Sequence, residues 1–246
     1  MTLTGKAALI TGGKRIGAVV AQALAGAGMD VALGYNRSKN EALATAEAIE
    51  AAGRRAFPIH ADLSNGDACR KLVETAAKSL RRLDVLVNMA SVYRSVPLEM
   101  IDETQWDEVV DVDLKASYLC ARAAIPFMRQ AGEGRIINFT DWIAASGRPR
   151  YKGYLPYFVA KRGVIGLTEA LALELADDQI LVNAIAPGPI LAPESTTSEE
   201  LKAVESATPL GRWGGEQEIA TAVLFLLESG FVTGETIRVD GGRHVR

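Results

Sequence analysis

Short apolar runs alternate with helical segments along the whole chain, and this alternation limits the possible folds more than any other feature. The runs are rich in β-branched residues and are bounded by polar or glycine-containing stretches; they are residues 7–11, 30–35, 56–60, 84–88, 135–140, 180–185 and 236–240. Strands that alternate with helices in this way are typical of a parallel sheet covered by helices on both faces. The sequence therefore predicts an α/β fold.

The chain is long enough for one sizeable core, because its 246 residues are 48% hydrophobic. No repeat or low-complexity linker interrupts it, so we expect a single domain over residues 1–246. Ser38 and Glu41 have the spacing of a capping box and predict where the helix after the second strand begins. Residues 188–209 lack a clear period and predict a flexible loop over the substrate, with an ordinary solvated insertion as the alternative.

Charge and composition exclude several kinds of partner. A net charge of -3 gives no general attraction to nucleic acid or anionic membranes, and no apolar stretch is long enough for a membrane span. Cys69 and Cys120 lack metal-binding spacing, and His60 and His244 are far apart in sequence. We therefore expect a cytoplasmic protein that has no metal site and acts on a small-molecule substrate.

A glycine-rich turn follows the first apolar run and leads into a helix. Its glycines, Gly12, Gly13 and Gly17, would let the backbone approach a pyrophosphate, and the N-terminus of the following helix offers unpaired N–H groups. The turn therefore indicates dinucleotide binding. A tight turn with a purely structural role is the alternative, because such glycine patterns also occur without a ligand.

The end of the second strand indicates which dinucleotide is bound. Asn36, Arg37 and Ser38 stand where an acidic residue would bind the ribose hydroxyls of NAD, and Lys14 and Arg15 lie on the neighbouring turn. Three cations at one corner of an acidic protein favour the 2′-phosphate of NADPH. The alternative is a solvated basic edge.

Tyr157 and Lys161 are the candidate catalytic pair. Their spacing places both side chains on one face of a helix that continues to residue 175. A lysine ammonium next to a phenol favours the phenolate, so we expect Lys161 to lower the pKa of Tyr157 toward working pH. Tyr157 would then both donate and accept a proton.

Taken together, these motifs resemble the short-chain dehydrogenase/reductase family along the whole chain. The matching segments are residues 11–17, 62–63, 86–90, 182–188 and 233–242, together with Asp141 before Tyr157 and Lys161. The resemblance implies a Rossmann-like, doubly wound, seven-stranded parallel sheet and a homotetramer. It also implies that Asp62 and Leu63 lie beside the adenine, Asn88 and Ala90 along the coenzyme, and Pro187, Gly188 and Ile190 near the nicotinamide. The full set of expected coenzyme-binding residues is Gly12, Lys14, Arg15, Ile16, Gly17, Asn36, Arg37, Ser38, Asp62, Leu63, Asn88, Ala90, Ser91, Tyr157, Lys161, Pro187, Gly188 and Ile190.

Within this family, the motif details are most similar to those of pteridine reductases. The similar features are Arg15 in the glycine turn, the segment 36–38, Ser91 after Ala90, and Asp141 in place of the usual catalytic serine. An ionised carboxylate would repel the negative charge that ketone reduction builds on oxygen, but it would stabilise a protonated C=N group. Asp141 therefore favours a pterin-like substrate. A buried, protonated Asp141 that donates to a carbonyl, or an Asp141 that only caps the next segment, are the alternatives.

Aromatic residues near these motifs could stack on a flat substrate ring. We expect Tyr93, Trp142 and Tyr154 to contact the substrate, with Tyr93 and Trp142 as the preferred pair, because they follow the fourth and fifth strands. Packing in the core or on the surface is the alternative for each of them.

Some positions depart from the family pattern. The glycine turn is one residue shorter than usual, and Asp113 stands where an asparagine is usual and could pair with Lys161. About three extra residues also separate Asp141 from Tyr157. Two other functions therefore stay open beside a pterin reductase: an NADPH-dependent reductase of carbonyl compounds or 3-oxoacyl thioesters, and an NADPH-binding sensor without catalytic activity.

Overall fold

A computed structural model describes residues 1–147, 149–193 and 196–245 and contains one seven-stranded parallel sheet. The strands have the order β3-β2-β1-β4-β5-β6-β7, and every pair of neighbours is parallel. Their bounds are Ala7–Thr11 (β1), Asp30–Tyr35 (β2), Ala56–His60 (β3), Val85–Asn88 (β4), Gly134–Phe139 (β5), Ile180–Pro187 (β6) and Thr236–Val239 (β7). All seven predicted strands are confirmed, with ends that differ by at most two residues.

Helices connect the strands and cover both faces of the sheet. They are Ile16–Gly26 (α1), Lys39–Ala51 (α2), Gly66–Leu80 (α3), Glu103–Val110 (α4), Ala116–Ala131 (α5), Trp142–Ala145 (α6), Leu155–Glu174 (α7), Ser198–Ala207 (α8) and Glu216–Glu228 (α9). A π-helical segment, Asp111–Lys115, joins α4 to α5. Short 3-10 helices lie at Leu98–Met100 and Arg243–Val245.

The hydrophobic core is divided in two by the sheet. In β1, Ala8 and Ile10 face the layer formed by α1 and α9, whereas Ala7 and Leu9 face the layer formed by α3 and α5. Because both faces are buried, the strand has no polar side to alternate with the apolar one. This is why the strands could be recognised as continuous apolar runs.

The strand order reverses between β1 and β4. The connections from β1 and β4 leave in opposite directions there, which opens a crevice at the carboxyl ends of these two strands. The glycine turn follows β1 and the segment containing Ala90 and Ser91 follows β4, so both border this crevice.

Two sequence expectations about local structure need correction. Ser38 does occupy the N-cap position of α2, as expected, but its side chain makes no capping hydrogen bond, and the Glu41 side chain pairs with Lys14, so no capping box is formed. The segment 188–209, expected to be an irregular loop, contains α8, whose start is fixed by a capping box between Thr197 and Glu200. Glu194 and Ser195, within the same segment, lie outside the described residues.

Candidate active site

The glycine turn packs too tightly to accept side chains at two positions. Gly12 has a φ of 97°, and a Cβ there would lie 3.3 Å from the backbone nitrogen of Ala90. A Cβ on Gly17 would lie 1.9 Å from the carbonyl oxygen of Gly12, well inside contact distance. These glycines therefore keep the turn closed and hold its backbone against the start of the segment after β4.

A cavity of about 700 Å³ lies beside this turn. Nine of the residues expected to bind the coenzyme line it: Gly12, Lys14, Asn36, Arg37, Ser38, Asp62, Leu63, Ala90 and Ser91. The sequence did not indicate several other lining residues, among them Glu41, Ser64, Arg94 and Glu108. Arg94 and Glu108 form an ion pair across 14 residues of sequence, so no local pattern could have placed them there.

Two cations, and not three, lie at the basic corner of this cavity. Lys14 and Arg37 line it, and Lys14 Nζ lies 3.1 Å from Glu41 Oε1 in an exposed ion pair. Arg15 begins α1 with a φ of 52° and donates from Nη2 to the carbonyl oxygen of Ala192 at 3.1 Å. The expectation that Arg15 joins the phosphate-binding corner is therefore not supported, because its guanidinium is held by the segment after β6.

The chain's own residues fit a bound NADP molecule in this cavity. Gly12 of the closed turn lines the cavity with backbone and no side chain, so a pyrophosphate could approach the chain there, and no carboxylate from the end of β2 lines the cavity. Lys14 and Arg37 supply positive charge at the same end.

Two groups of expected coenzyme contacts lie outside this cavity. Asn88 is buried in the sheet, where its Nδ2 donates to Asn138 Oδ1 at 2.9 Å and to the carbonyl oxygen of Ser117. Its side chain therefore joins β4 to β5 and α5 and does not line the cavity. Gly188 packs so closely on Asp240 that a Cβ would lie 2.5 Å from the Asp240 Cβ, while Ile190 is buried. The roles expected for Pro187, Gly188 and Ile190 stay predictions.

Tyr157 and Asp141 meet directly. The Tyr157 hydroxyl donates to Asp141 Oδ2 at 3.0 Å, and Asp141 Oδ1 accepts from the backbone nitrogen of Ile143 at 2.7 Å. Asp141 is thus both the N-cap of α6 and the partner of the candidate catalytic phenol. The extra residues between Asp141 and Tyr157 do not keep the two apart, since the Tyr157 hydroxyl and the Asp141 carboxylate lie within hydrogen-bond distance.

Lys161 is held by a buried carboxylate. Its Nζ lies 3.0 Å from Asp113 Oδ1 and donates to the carbonyl oxygen of Phe139 at 3.0 Å. Asp113 also accepts hydrogen bonds from Ser91 Oγ and from the backbone nitrogen of Val92. The pairing that the sequence allowed between Asp113 and Lys161 is therefore present.

The surroundings of Tyr157 raise its pKa instead of lowering it. Burial is the main cause, and the negative charges of Asp141 and Asp113 add to it. The expected net lowering of this pKa is therefore not found, because burial and the two carboxylates outweigh any effect of Lys161, which is itself paired with Asp113. Burial also raises the pKa of Asp141, against the opposing effect of its hydrogen bond from Ile143.

An aromatic cluster covers the catalytic tyrosine. Tyr93 stacks on Tyr154 with ring centroids 4.8 Å apart and meets the Tyr157 ring edge-on at 4.9 Å. These rings, with Asp141 and Lys161, line a narrow cavity of about 20 Å³. Tyr93 and Tyr154 thus lie beside the Tyr157 ring, and their contact with a substrate stays a prediction.

Trp142 is not part of this cavity. It is 6% exposed, and the guanidinium carbons of Arg150 and Arg243 lie 5.0 and 5.3 Å from its ring centroid. Of the preferred aromatic pair, only Tyr93 lines this cavity, together with Tyr154, whereas Trp142 packs against these arginines; the substrate contacts expected for all three stay predictions.

The described residues offer few other candidate sites. In residues 1–147, 149–193 and 196–245 we find no group of three His, Cys, Asp or Glu side chains arranged to hold a metal ion. Cys69 and Cys120 are both free and buried. Over the same ranges, no helix combines the length and the hydropathy needed to traverse a lipid bilayer.

Comparison with known proteins agrees with this geometry. The profile of a family described as Enoyl-(Acyl carrier protein) reductase matches residues 12–244. A 3-oxoacyl-[acyl-carrier-protein] reductase FabG from Staphylococcus aureus is 39% identical over 245 residues, with 98% of each chain covered. Two solved structures, each 33% identical with a TM-score of 0.91 and 99% of both chains covered, are a short chain dehydrogenase from Burkholderia cenocepacia in complex with NADP and a blue fluorescent protein from a metagenomic library in complex with NADPH.

The protein belongs to the short-chain dehydrogenase/reductase family of oxidoreductases. The similarity to pteridine reductases suggested by its motifs is not borne out by the relatives named above.

Proposed function

We propose that this protein is an NADPH-dependent reductase of carbonyl compounds, with 3-oxoacyl thioesters as its substrate class. The observation that carries the assignment as a reductase is the hydrogen bond of 3.0 Å from the Tyr157 hydroxyl to Asp141, because it fixes a proton donor in the site. The names of relatives 37 to 39% identical along almost the whole chain support the substrate class.

The choice of NADPH as the proposed coenzyme rests on the positive charge of Lys14 and Arg37 at one end of the cavity. Lys14 and Arg37 line the cavity, and no carboxylate side chain at the end of β2 lines it. These features favour a coenzyme with a 2′-phosphate over one with free ribose hydroxyls. The two NADP-bound structures that resemble this chain support the same choice. Bound NADPH supplies the hydride that reduces the carbonyl carbon.

Tyr157 supplies the proton. Its raised pKa keeps the hydroxyl protonated at neutral pH, so it can donate to the oxygen on which negative charge develops. Lys161 lies below the same ring, with Nζ 5.6 Å from its centroid, and is fixed by Asp113 and Phe139. A fixed ammonium stabilises developing negative charge without having to reorganise during the reaction.

Asp141 fits carbonyl reduction if it is neutral in the reacting complex. Burial raises its pKa, which favours the protonated acid, and a protonated carboxyl donates a hydrogen bond to a carbonyl oxygen as a hydroxyl group does. Binding of substrate excludes more water and strengthens this effect.

A second candidate function is the reduction of a C=N bond in a pterin-like ring. Asp141 and the stacked pair of Tyr93 and Tyr154 favour it, because an ionised carboxylate stabilises a protonated C=N group and aromatic rings stack on flat heterocycles. The two functions differ in the protonation state that Asp141 needs, so the same residue discriminates between them.

The first experiment measures NADPH oxidation, with NADH as control, for a short 3-oxoacyl thioester and for a dihydropterin. We expect turnover of the thioester, and a decrease of about 10²- to 10⁴-fold in Tyr157→Phe because the proton donor is lost. Tyr118→Phe, which changes an exposed tyrosine of α5, is the matched control and should keep full activity. Turnover confined to the dihydropterin would refute the carbonyl proposal.

The variant Asp141→Ser distinguishes the carbonyl reaction from the C=N reaction. A serine hydroxyl donates a hydrogen bond at every pH, so thioester turnover should persist and lose its dependence on the protonation of residue 141. Loss of dihydropterin turnover in the same variant would identify the C=N reaction as the one that needs a carboxylate. NADPH binding without turnover of either substrate would favour the sensor function.

We also propose that the chain forms a homotetramer and that the segment 188–209 covers the substrate. Leu173 of α7 is 82% exposed and Tyr118 of α5 is also exposed, so these helices offer apolar surface to a second copy. Light scattering of the purified protein should give four times the chain mass, and a monomer would refute the assembly.

A further inference from the structure

The structure contains a buried ion pair between Lys161 and Asp113, and the proposed reaction uses Asp113 only to hold Lys161 in place. We propose that Asp113 is a positioning residue that balances the Lys161 ammonium and thereby favours Tyr157 as a proton donor over Tyr157 as a proton acceptor. The consequence is an enzyme biased toward reduction. The kinetic part of this inference rests on the proposed function, whereas its spectroscopic part does not.

The pair is closed off from solvent. The side chain of Lys161 is 3% exposed and that of Asp113 is fully buried, with Nζ and Oδ1 3.0 Å apart. A charged pair of this kind is stable only when further hydrogen bonds satisfy its remaining polar atoms. Those bonds are present: Phe139 accepts from Lys161, while Ser91 and Val92 donate to Asp113.

The backbone around Asp113 departs from regular helix geometry. Asp113 lies at the centre of the π-helical segment Asp111–Lys115, and π-bulges within α-helices occur frequently at functional sites. On the same segment, Asp111 and Lys115 form an ion pair on the outer surface, with the Lys115 side chain 56% exposed. Two carboxylates on one short segment therefore face opposite environments, and only Asp113 reaches the catalytic lysine.

Asp113 also joins the lysine to the aromatic cover of the site. It accepts from the backbone nitrogen of Val92, the residue before Tyr93, and Tyr93 contacts the Tyr157 ring. A displacement of Asp113 would therefore shift both Lys161 and the Tyr93 ring that contacts Tyr157. This connection makes Asp113 a positioning residue for both sides of the phenol.

The charges around Tyr157 are unequal. In the protein without substrate, burial raises the pKa of Tyr157 and the carboxylates of Asp141 and Asp113 add to it, against the single ammonium of Lys161. In the reacting complex, where Asp141 is neutral, Asp113 alone balances that ammonium. The other titratable groups that line the same cavity or touch the ring are Tyr93, Tyr151, Tyr154 and Arg150. Removing the charge of Asp113 leaves the ammonium unbalanced and removes one repulsion, so the phenolate becomes easier to form.

The test compares Asp113→Asn with Asp111→Asn, which removes a carboxylate two residues away on the outer surface. Reduction needs Tyr157 as the phenol, and oxidation of the alcohol needs it as the phenolate. The pH profiles of the two reactions therefore both report the pKa of Tyr157. In Asp113→Asn we expect the alkaline limb of reduction and the onset of oxidation both to move about one pH unit lower. In Asp111→Asn we expect neither profile to move.

A titration without turnover tests the same inference independently. The ultraviolet absorbance of tyrosinate is measured against pH, and the signal of a matched Tyr157→Phe protein is subtracted to isolate Tyr157. The midpoint should lie about one pH unit lower in the Asp113→Asn background than in the wild type. Asp113→Ser is the second neutral variant and should give the same shift if Asp113→Asn does not fold.

The inference is overturned if the midpoint is the same with and without the Asp113 charge, or if Asp111→Asn moves it equally. Failure of the proposed function has a different signature. If the wild type turns over neither a thioester nor a dihydropterin, the kinetic profiles are absent, but the absorbance titration still reports the effect of Asp113 on Tyr157.

Discussion

The two ends of the crevice handle charge in opposite ways. At the coenzyme end, Lys14 and Glu41 form a pair whose side chains are 57% and 45% exposed. At the catalytic end, Lys161 and Asp113 form a pair that is almost completely buried. Both pairs have nearly the same separation, 3.1 and 3.0 Å, so geometry alone does not distinguish them.

The environment gives the two pairs different roles. Water and salt screen an exposed pair, so Lys14 can leave Glu41 for a phosphate at little cost. A buried pair has lost its hydration, and each charge depends on the other. The exposed pair is therefore suited to the proposed binding and release of an anion, and the buried pair to holding the Lys161 ammonium in one place.

The largest effect should follow from breaking the buried pair. Lys161→Met leaves Asp113 buried without a counter-charge and should lower the free energy of unfolding by about 3–5 kcal/mol. Denaturant unfolding of the purified variant measures this loss. The double variant Lys161→Met with Asp113→Leu should regain most of it, and a double variant as unstable as the single one would contradict the role of the unpaired charge.

A smaller effect should follow from filling the glycine turn. Gly17→Ala places a Cβ 1.9 Å from the carbonyl oxygen of Gly12, so the turn must shift. We expect a loss of about 1–3 kcal/mol in the free energy of unfolding, together with weaker NADPH binding by calorimetry. Gly26→Ala, at the end of the same helix with open space around it, is the matched control and should bind NADPH normally.

The basic corner should affect coenzyme choice more than stability. Arg37→Asp removes a cation and adds the acidic type of side chain that binds ribose hydroxyls, so the Kd for NADPH should rise about tenfold while that for NADH falls. Fluorescence titration with both coenzymes measures the change in preference. Lys39→Asp changes a nearby cation outside the cavity, and an equal effect there would show that general charge, not the corner, sets the preference.

The smallest effect should follow from breaking the exposed pair. Lys14→Met removes the partner of Glu41, yet both groups are well solvated, so thermal unfolding should occur at the wild-type temperature. NADPH binding should weaken in the same variant because a phosphate loses a cation. A large decrease in thermal stability would remove the distinction between the two ends of the crevice.

Sequence reasoning located most of the fold because the strands are locally encoded. Runs such as Leu9–Ile10 and Val85–Val87 are apolar on both faces, and glycine-rich or polar segments mark their ends. It failed for α8, whose residues are all at least partly exposed and therefore show no apolar stripe. It also failed for the capping box at Ser38, whose acidic member pairs with Lys14 on another element.

The sequence by itself determined the parallel sheet, the glycine turn, the missing acid after β2 and the presence of Tyr157, Lys161 and Asp141, since these depend on residue type and short-range spacing. Only the tertiary structure decided how these groups act on one another. It directed Arg15 to Ala192, set Trp142 beside Arg150 and Arg243, paired Lys161 with Asp113 and buried Tyr157, and this burial, together with the carboxylates of Asp141 and Asp113, raises the Tyr157 pKa. The physical reason is that burial and the balance of charge depend on which distant segments pack together, and the order of residues along the chain does not contain that information locally.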